Sequence, residues 1–418
     1  MESYHIRGGN KISGEYSVKG AKNAALPILA ATILCGAECQ LSNIPQITDV
    51  NSMKKILNEL GCKTDTSEET VIVDSSELVA DTISLKRMRE MRSSVFLLGA
   101  LLGRCGSAVI SQPGGCNIGS RPIDLHLHAL RMLGTEITEK DDVIICKASK
   151  LRGAVIEFSF PSVGATENAI MAAATAEGHT ILKNCAMEPE ICDLQNFLNS
   201  CGADIHGSGT KTIHINGNSA LHGGNHRIIP DRIECGTYLV AAAATGGEIV
   251  VKNAESLHLK SILEKLIETG CTVGVKRDRI YLKACEKLTA LDKLITGPYP
   301  EFPTDLQSPF LTMLTLAEGK SYVEETIFEN RFAFANELKR MGADLLVEDN
   351  HAFVTGVKEL QGCRVAATDL RGGASLAIAG LMAQGETFIE GIEHIERGYA
   401  DFSQTLRSLG ADIRKTND

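Results

Sequence analysis

The chain has 418 residues, 44% of them hydrophobic, more than one domain usually holds and enough for two medium-sized cores. Lysine and arginine number 42 against 52 acidic residues, a formal charge of −10 that argues against nucleic acid or an anionic membrane surface as the main partner while leaving room for a small anion at a local arginine cluster. No apolar run reaches the roughly 20 residues that span a bilayer, and MESYHIRGGNKISG lacks an apolar signal core, so a cytoplasmic location is expected.

In chain order, the segment up to Gly20 reads as strand. A helix rich in small residues is predicted from Lys22 in KGAKNAALPIL, and another at REMRSSVFLL with Arg92 at its start. The loop SQPGGCNIGSRPIDLH follows, where Cys116 stands among Gly114, Gly115 and Gly119 and precedes Arg121. Glycine costs backbone entropy and buries no side chain, so this run suits movement or close approach rather than packing. His126 and His128 in DLHLHAL have no third evident ligand, and no metal is expected. PSVGATENAI presents mainly the backbone of Ser162, Val163 and Gly164 at its helix start. PDRIECGTYL brings Arg232, EFPTDLQSPF brings Asp305, FENRFAFANEL brings Arg331, TDLRGGASLA brings Arg371 and IEHIERGYADF brings Arg397.

These elements recur. LNELGCKTD, LRMLGTEIT, LNSCGADIH, LIETGCTVG, LKRMGADLL and LRSLGADIR each end an amphipathic helical pattern at a glycine: Gly61, Gly134, Gly202, Gly270, Gly342 and Gly410. The glycines are almost evenly spaced, and the step from Gly410 through the chain end and on from the start to Gly61 has nearly the same length as the others. A period that closes on itself favours closed domains over an open solenoid. The N-terminal segment is expected to complete the sixth repeat, giving domains of residues 21–229 and of 1–20 plus 230–418, with Pro230 near the hinge. Helices that read apolar nearly all round, such as SLAIAGLMA, belong inside such domains.

The 13 cysteines are scattered without a paired C-x-x-C unit, so most are expected to be reduced core residues, with Cys116 the exception. Helix N-termini attract anions, and Lys22, Arg92, Arg232 and Arg371 at four of six starts oppose the helix dipole. A shared anionic ligand explains that arrangement. Asp305 breaks the pattern, as a cap, an ion-pair partner or a general base.

From GAKNAALPILAA through PGGCNIGSRPIDLH, SVGAT, PDRIE, FPTD, FENRF and ATDLR to HIERGY, the chain resembles the UDP-N-acetylglucosamine enolpyruvyl transferases over nearly its whole length. The related shikimate-pathway transferases share the fold but lack the cysteine loop. The resemblance implies an α/β protein of two inside-out α/β barrel domains, built from six sequence repeats, that close over phosphoenolpyruvate and UDP-N-acetylglucosamine. It implies no cofactor, no metal, no nucleic acid, no membrane and no obligate protein partner. Lys22, Arg121 and Arg397 would hold phosphoenolpyruvate, with Arg331 and Arg371 extending the cationic wall. Asn23, Arg92, Asp305 and the backbone of Ile327 would orient the sugar. Arg121, Pro122, Ile123, Asp124 and Leu125 would line the uridine site, and Ser162, Val163 and Gly164 would cradle the diphosphate. Cys116 would protonate the methylene carbon, and Asp305 would take the sugar hydroxyl proton. Two positions depart from the family pattern: Phe160 and Pro161 replace a lysine before SVGAT, and Thr48 stands where a lysine often sits.

Overall fold

The computed structural model describes residues 2–84, 95–111, 118–119, 122–140, 143–217 and 220–417. The chain divides into two compact units. One runs from Gly20 to Ile229; the other joins the residues up to Lys19 to everything from Pro230 onward, and Ile118 and Gly119 group with it.

Each unit is built from its small-residue helices outward. In the N-terminal unit these are Lys22–Cys35, Leu97–Cys105 and Val163–Ala173, which pack on one another, and in the C-terminal unit Arg232–Ala244, Gln307–Leu314 and Leu370–Met382. All but Asn23 of the first and all but Ala244 of the fourth are buried, because alanine and glycine let three backbones share one core. Asn168 ties the first trio together, its Nδ2 donating to Val95 O at 3.0 Å and to His126 Nδ1 at 2.8 Å while its Oδ1 accepts from Gly99 N at 2.7 Å.

Three sheets belong to each unit, five of them four-stranded and one three-stranded among the described residues. In the first repeat Lys22–Cys35 leads to strand Glu38–Ser42, then to the outer helix Thr48–Glu59 and the hairpin Lys63–Ser67 with Thr70–Asp74. Thr70–Asp74 lies between the other two strands and is antiparallel to both. In the last repeat that middle position goes to Glu2–Arg7, which pairs with Glu386–Glu390 on one side and Asp412–Asn417 on the other, Ser3 standing opposite both Glu390 and Thr416. The segment after it, Ser13–Ser17, runs parallel to Glu248–Lys252 as the edge of the next sheet. All six repeat glycines sit in the left-handed region, at φ between 94° and 101°, where they end the outer helices without a Cβ clash. No helix of the described residues is long and apolar enough to cross a membrane.

Candidate functional site

In the N-terminal unit, Lys22 opens its helix behind Ala21, an extended residue that offers no side-chain cap. Its ammonium lies 2.7 Å from Asp49 Oδ2, and the two side chains are only 10% and 2% exposed. Asp49 comes from the first turn of Thr48–Glu59, so the cation at one helix start is met by a carboxylate of the next helix. Asn23 beside it is half-buried.

Ser162 caps Val163–Ala173, its hydroxyl accepting from Ala165 N at 3.4 Å, and the first turn of that helix presents the backbone of Val163 and Gly164. The helix Asp124–Met132 packs alongside: a Cβ on Gly164 would lie 2.9 Å from His126 Cε1. The structure therefore brings Pro122, Ile123, Asp124 and Leu125 near Ser162, Val163 and Gly164, with Pro122 and Asp124 exposed and Ile123 and Leu125 half-buried. His126 is buried and bound to Asn168, a packing role.

In the C-terminal unit, Asp305 sits in the short 3-10 turn Thr304–Leu306 that precedes Gln307–Leu314. A single oxygen, Oδ1, accepts from Arg331 Nη2 and from Arg371 Nε, each at 3.1 Å. Both guanidinium side chains are 3% exposed, and the carboxylate 30%. Arg331 is fixed further by Thr304 O, which accepts from its Nε and Nη2 at 3.3 and 3.2 Å, and by Asp369 Oδ1 at 3.9 Å. The Tyr399 ring lies 5.3 Å from the Arg371 guanidinium carbon, and its hydroxyl is within 2.8 Å of Thr237 Oγ1. Burial alone would raise the Asp305 carboxyl; Arg371 and Arg331 outweigh it and hold the group well below the usual carboxylate range.

Glu325, 1% exposed, accepts from Ile327 N at 2.9 Å and Phe328 N at 3.2 Å on Oε1, and from Thr304 Oγ1 at 2.9 Å on Oε2. The Ile327 N–H is thus engaged within the protein. Arg397 is half-buried at the C-terminal end of Glu393–Glu396, the helix end that suits a cation. Ile118 O accepts from Asn330 N at 3.1 Å, and a Cβ on Gly119 would fall 2.1 Å from Glu329 Oε2, so this part of the cysteine loop needs glycine to approach its neighbour. Arg92, Cys116 and Arg121 lie outside the described residues.

Several site residues escape a reading of the sequence. The motifs set the cations against their helix dipoles unless a ligand intervenes, but in the fold acids of the protein itself stand among them. Asp231 caps Arg232–Ala244 through Ile233 N and Glu234 N at 2.8 and 2.9 Å, and Asp369 caps Leu370–Met382 through Arg371 N and Gly372 N at 3.1 and 3.0 Å. With Asp49 and Asp305 these carboxylates offset much of the cationic charge. The signal for the two caps is present, an aspartate directly before each helix in PDRI and TDLR.

The chain matches the family model described as EPSP synthase (3-phosphoshikimate 1-carboxyvinyltransferase) over residues 6–406. It is 51% identical to a UDP-N-acetylglucosamine 1-carboxyvinyltransferase 2 of Caldanaerobacter subterraneus subsp. tengcongensis, covering 99% of each chain, and 47% identical to one of the same name from Carboxydothermus hydrogenoformans, covering 100% of each. Among solved structures it is similar to the enolpyruvyl transferase NikO from Streptomyces tendae, with a TM-score of 0.90 and 26% identity over 100% of this chain and 99% of that one. The fold is that of the enolpyruvyl transferases, and the chain belongs to the UDP-N-acetylglucosamine 1-carboxyvinyltransferase family.

Proposed function

We propose that this protein transfers the enolpyruvyl group of phosphoenolpyruvate to the 3-hydroxyl of UDP-N-acetylglucosamine with release of phosphate, the first committed step of peptidoglycan synthesis. The observation that carries the reading is the full-length 51% identity to a relative of that name, in a chain that keeps Lys22, Cys116, Asp305 and Arg397.

The chemistry follows from the residues. The sugar oxygen attacks C2 of phosphoenolpyruvate and gives its proton to Asp305, while Cys116 delivers a proton to the methylene carbon. The resulting tetrahedral adduct loses phosphate as its C–O bond breaks, and a proton of the methyl carbon passes to the Cys116 thiolate, which forms the enol ether and regenerates the thiol. Fixed cations at Lys22, Arg121, Arg331, Arg371 and Arg397 stabilise the phosphate and carboxylate charge, and more strongly once water has been expelled. Asp305, held by two guanidinium groups, is a weak base before substrate arrives. An anionic substrate that draws on Arg331 and Arg371 lowers their hold on Asp305 and raises its proton affinity at the moment it is needed. Asn23, Arg92 and the backbone of Ile327 orient the sugar. Pro122, Ile123, Asp124 and Leu125 line the uridine, and the N-terminal turn at Ser162, Val163 and Gly164 takes the diphosphate without the lysine that Phe160 and Pro161 replace.

A coupled phosphate-release assay tests this. Release with phosphoenolpyruvate plus UDP-N-acetylglucosamine, none with shikimate 3-phosphate, and loss of turnover by at least about 100-fold in Cys116→Ser is the expected pattern for a missing general acid. Release with shikimate 3-phosphate instead, or full activity in the variant, rejects it.

A further inference from the structure

Two cysteines four residues apart meet a third that is remote in sequence in the N-terminal unit. Cys35 ends the helix Lys22–Cys35, Cys39 is the second residue of strand Glu38–Ser42, and Cys201 caps the helix Pro189–Ser200. Their Sγ atoms all lie within 4.8 Å of one another, and the residues are 4%, 0% and 0% exposed. Among the described residues no other trio of histidine, cysteine or acidic donors is gathered this closely. Thiolate bonds of about 2.3 Å to one metal ion place the sulfurs about 3.8 to 4.0 Å apart, so the trio closes on an ion with shifts of under roughly 1 Å.

We propose that Cys35, Cys39 and Cys201 form a trigonal thiolate site for a soft monovalent metal ion, for which Cu(I) is the best match. Three sulfurs with no histidine, fourth cysteine or acidic side chain gathered with them among the described residues suit an ion that accepts three-coordination, whereas structural zinc sites complete a tetrahedron. The backbone passes close to the sulfurs: a Cβ at Gly224 would press to 3.1 Å on Cys201 Sγ. Binding forms three Cu–S bonds and releases the thiol protons to solvent. Affinity should therefore rise with pH while thiol protons remain to be displaced. Cys35 stands at the far end of its helix from Lys22, about 20 Å away at roughly 1.5 Å per residue, so the site is separate from the substrate-binding end of the same helix.

The test uses the full chain carrying Cys116→Ser, so that the reactive loop thiol does not compete, reduced and metal-free under anaerobic conditions. Cu(I) is offered from a chromophoric chelator. The expected result is one more ion per chain than in the same background with Cys201→Ala or Cys35→Ala, and a rise in Tm that both variants lack. X-ray absorption on the loaded chain should find three sulfur neighbours, a readout that holds even if either variant fails to fold. Equal copper in parent and variants, oxygen or nitrogen neighbours at the ion, or an equal gain in Tm from Zn²⁺ would overturn the proposal.

Discussion

The ammonium of Lys22 and the carboxylate of Asp49 face each other at 2.7 Å with almost no water, so neither charge is cheap to strand. Lys22→Met should cost about 3–5 kcal/mol in urea denaturation, because it leaves a buried carboxylate without its nearest cation. Adding Asp49→Leu should recover most of that stability without recovering turnover, which separates the structural share of Lys22 from its share in binding. Asp305 carries a different consequence. Its folded pKa is depressed, so it contributes stability that is present above its unfolded value and is lost as pH falls below about 4. Asp305→Asn should flatten the acid limb of a stability–pH profile in that window; an unchanged limb would show that the two arginine contacts are not formed in solution. At this scale the sequence is legible only in part. Lys22, Arg331 and Arg371 stand out because of the anionic ligand their motifs imply, and Asp305 because it interrupts the cations. Asp49 does not stand out, since an acid in a first helical turn is ordinary and only the fold reveals the lysine opposite. Nor does the thiol trio, because Cys201 is remote in sequence from Cys35 and Cys39.

Among elements, Leu97–Cys105 and Val163–Ala173 pack directly on one another. A Cβ on Gly99 would lie 2.3 Å from Asn168 O, a backbone atom that has nowhere to retreat. Gly99→Ala should therefore destabilise the N-terminal unit by about 1–3 kcal/mol despite alanine's better helix propensity, read as a lower denaturant midpoint with an unchanged slope. The same substitution at Gly103 meets side-chain tips, Leu34 Cδ2 at 2.7 Å and Thr175 Oγ1 at 2.8 Å, and should cost less. The repeat itself is the most legible feature of this scale, for a physical reason: a helix that must end and turn into a strand at the same place six times needs the left-handed conformation six times, and glycine supplies it at least cost. Sheet order is not legible. Nothing local tells Asn225–Arg227 to seek Glu38–Ser42 as a parallel neighbour rather than a strand of its own repeat.

At the scale of the molecule, the N-terminal unit is almost continuous in sequence, while the C-terminal unit borrows two strands from the chain's beginning. A fragment of residues 20–229 should fold alone, and one of residues 230–418 should not, because Glu2–Arg7 is the inner strand of its last sheet and Ser13–Ser17 edges another. Circular dichroism should give a cooperative melt for the first fragment, and for the second only after a peptide of residues 1–19 is added. A cooperative melt of the second fragment by itself would refute this dependence. During synthesis the same arrangement imposes a wait. Tyr4 and Ile6, buried in the finished protein, leave the ribosome nearly a whole chain length ahead of the strands that will cover them, roughly 20 to 80 seconds at ordinary elongation rates. Through that interval they form an adhesive flap with no home, and a nascent chain of this kind stands to gain from a chaperone that shields its leading end.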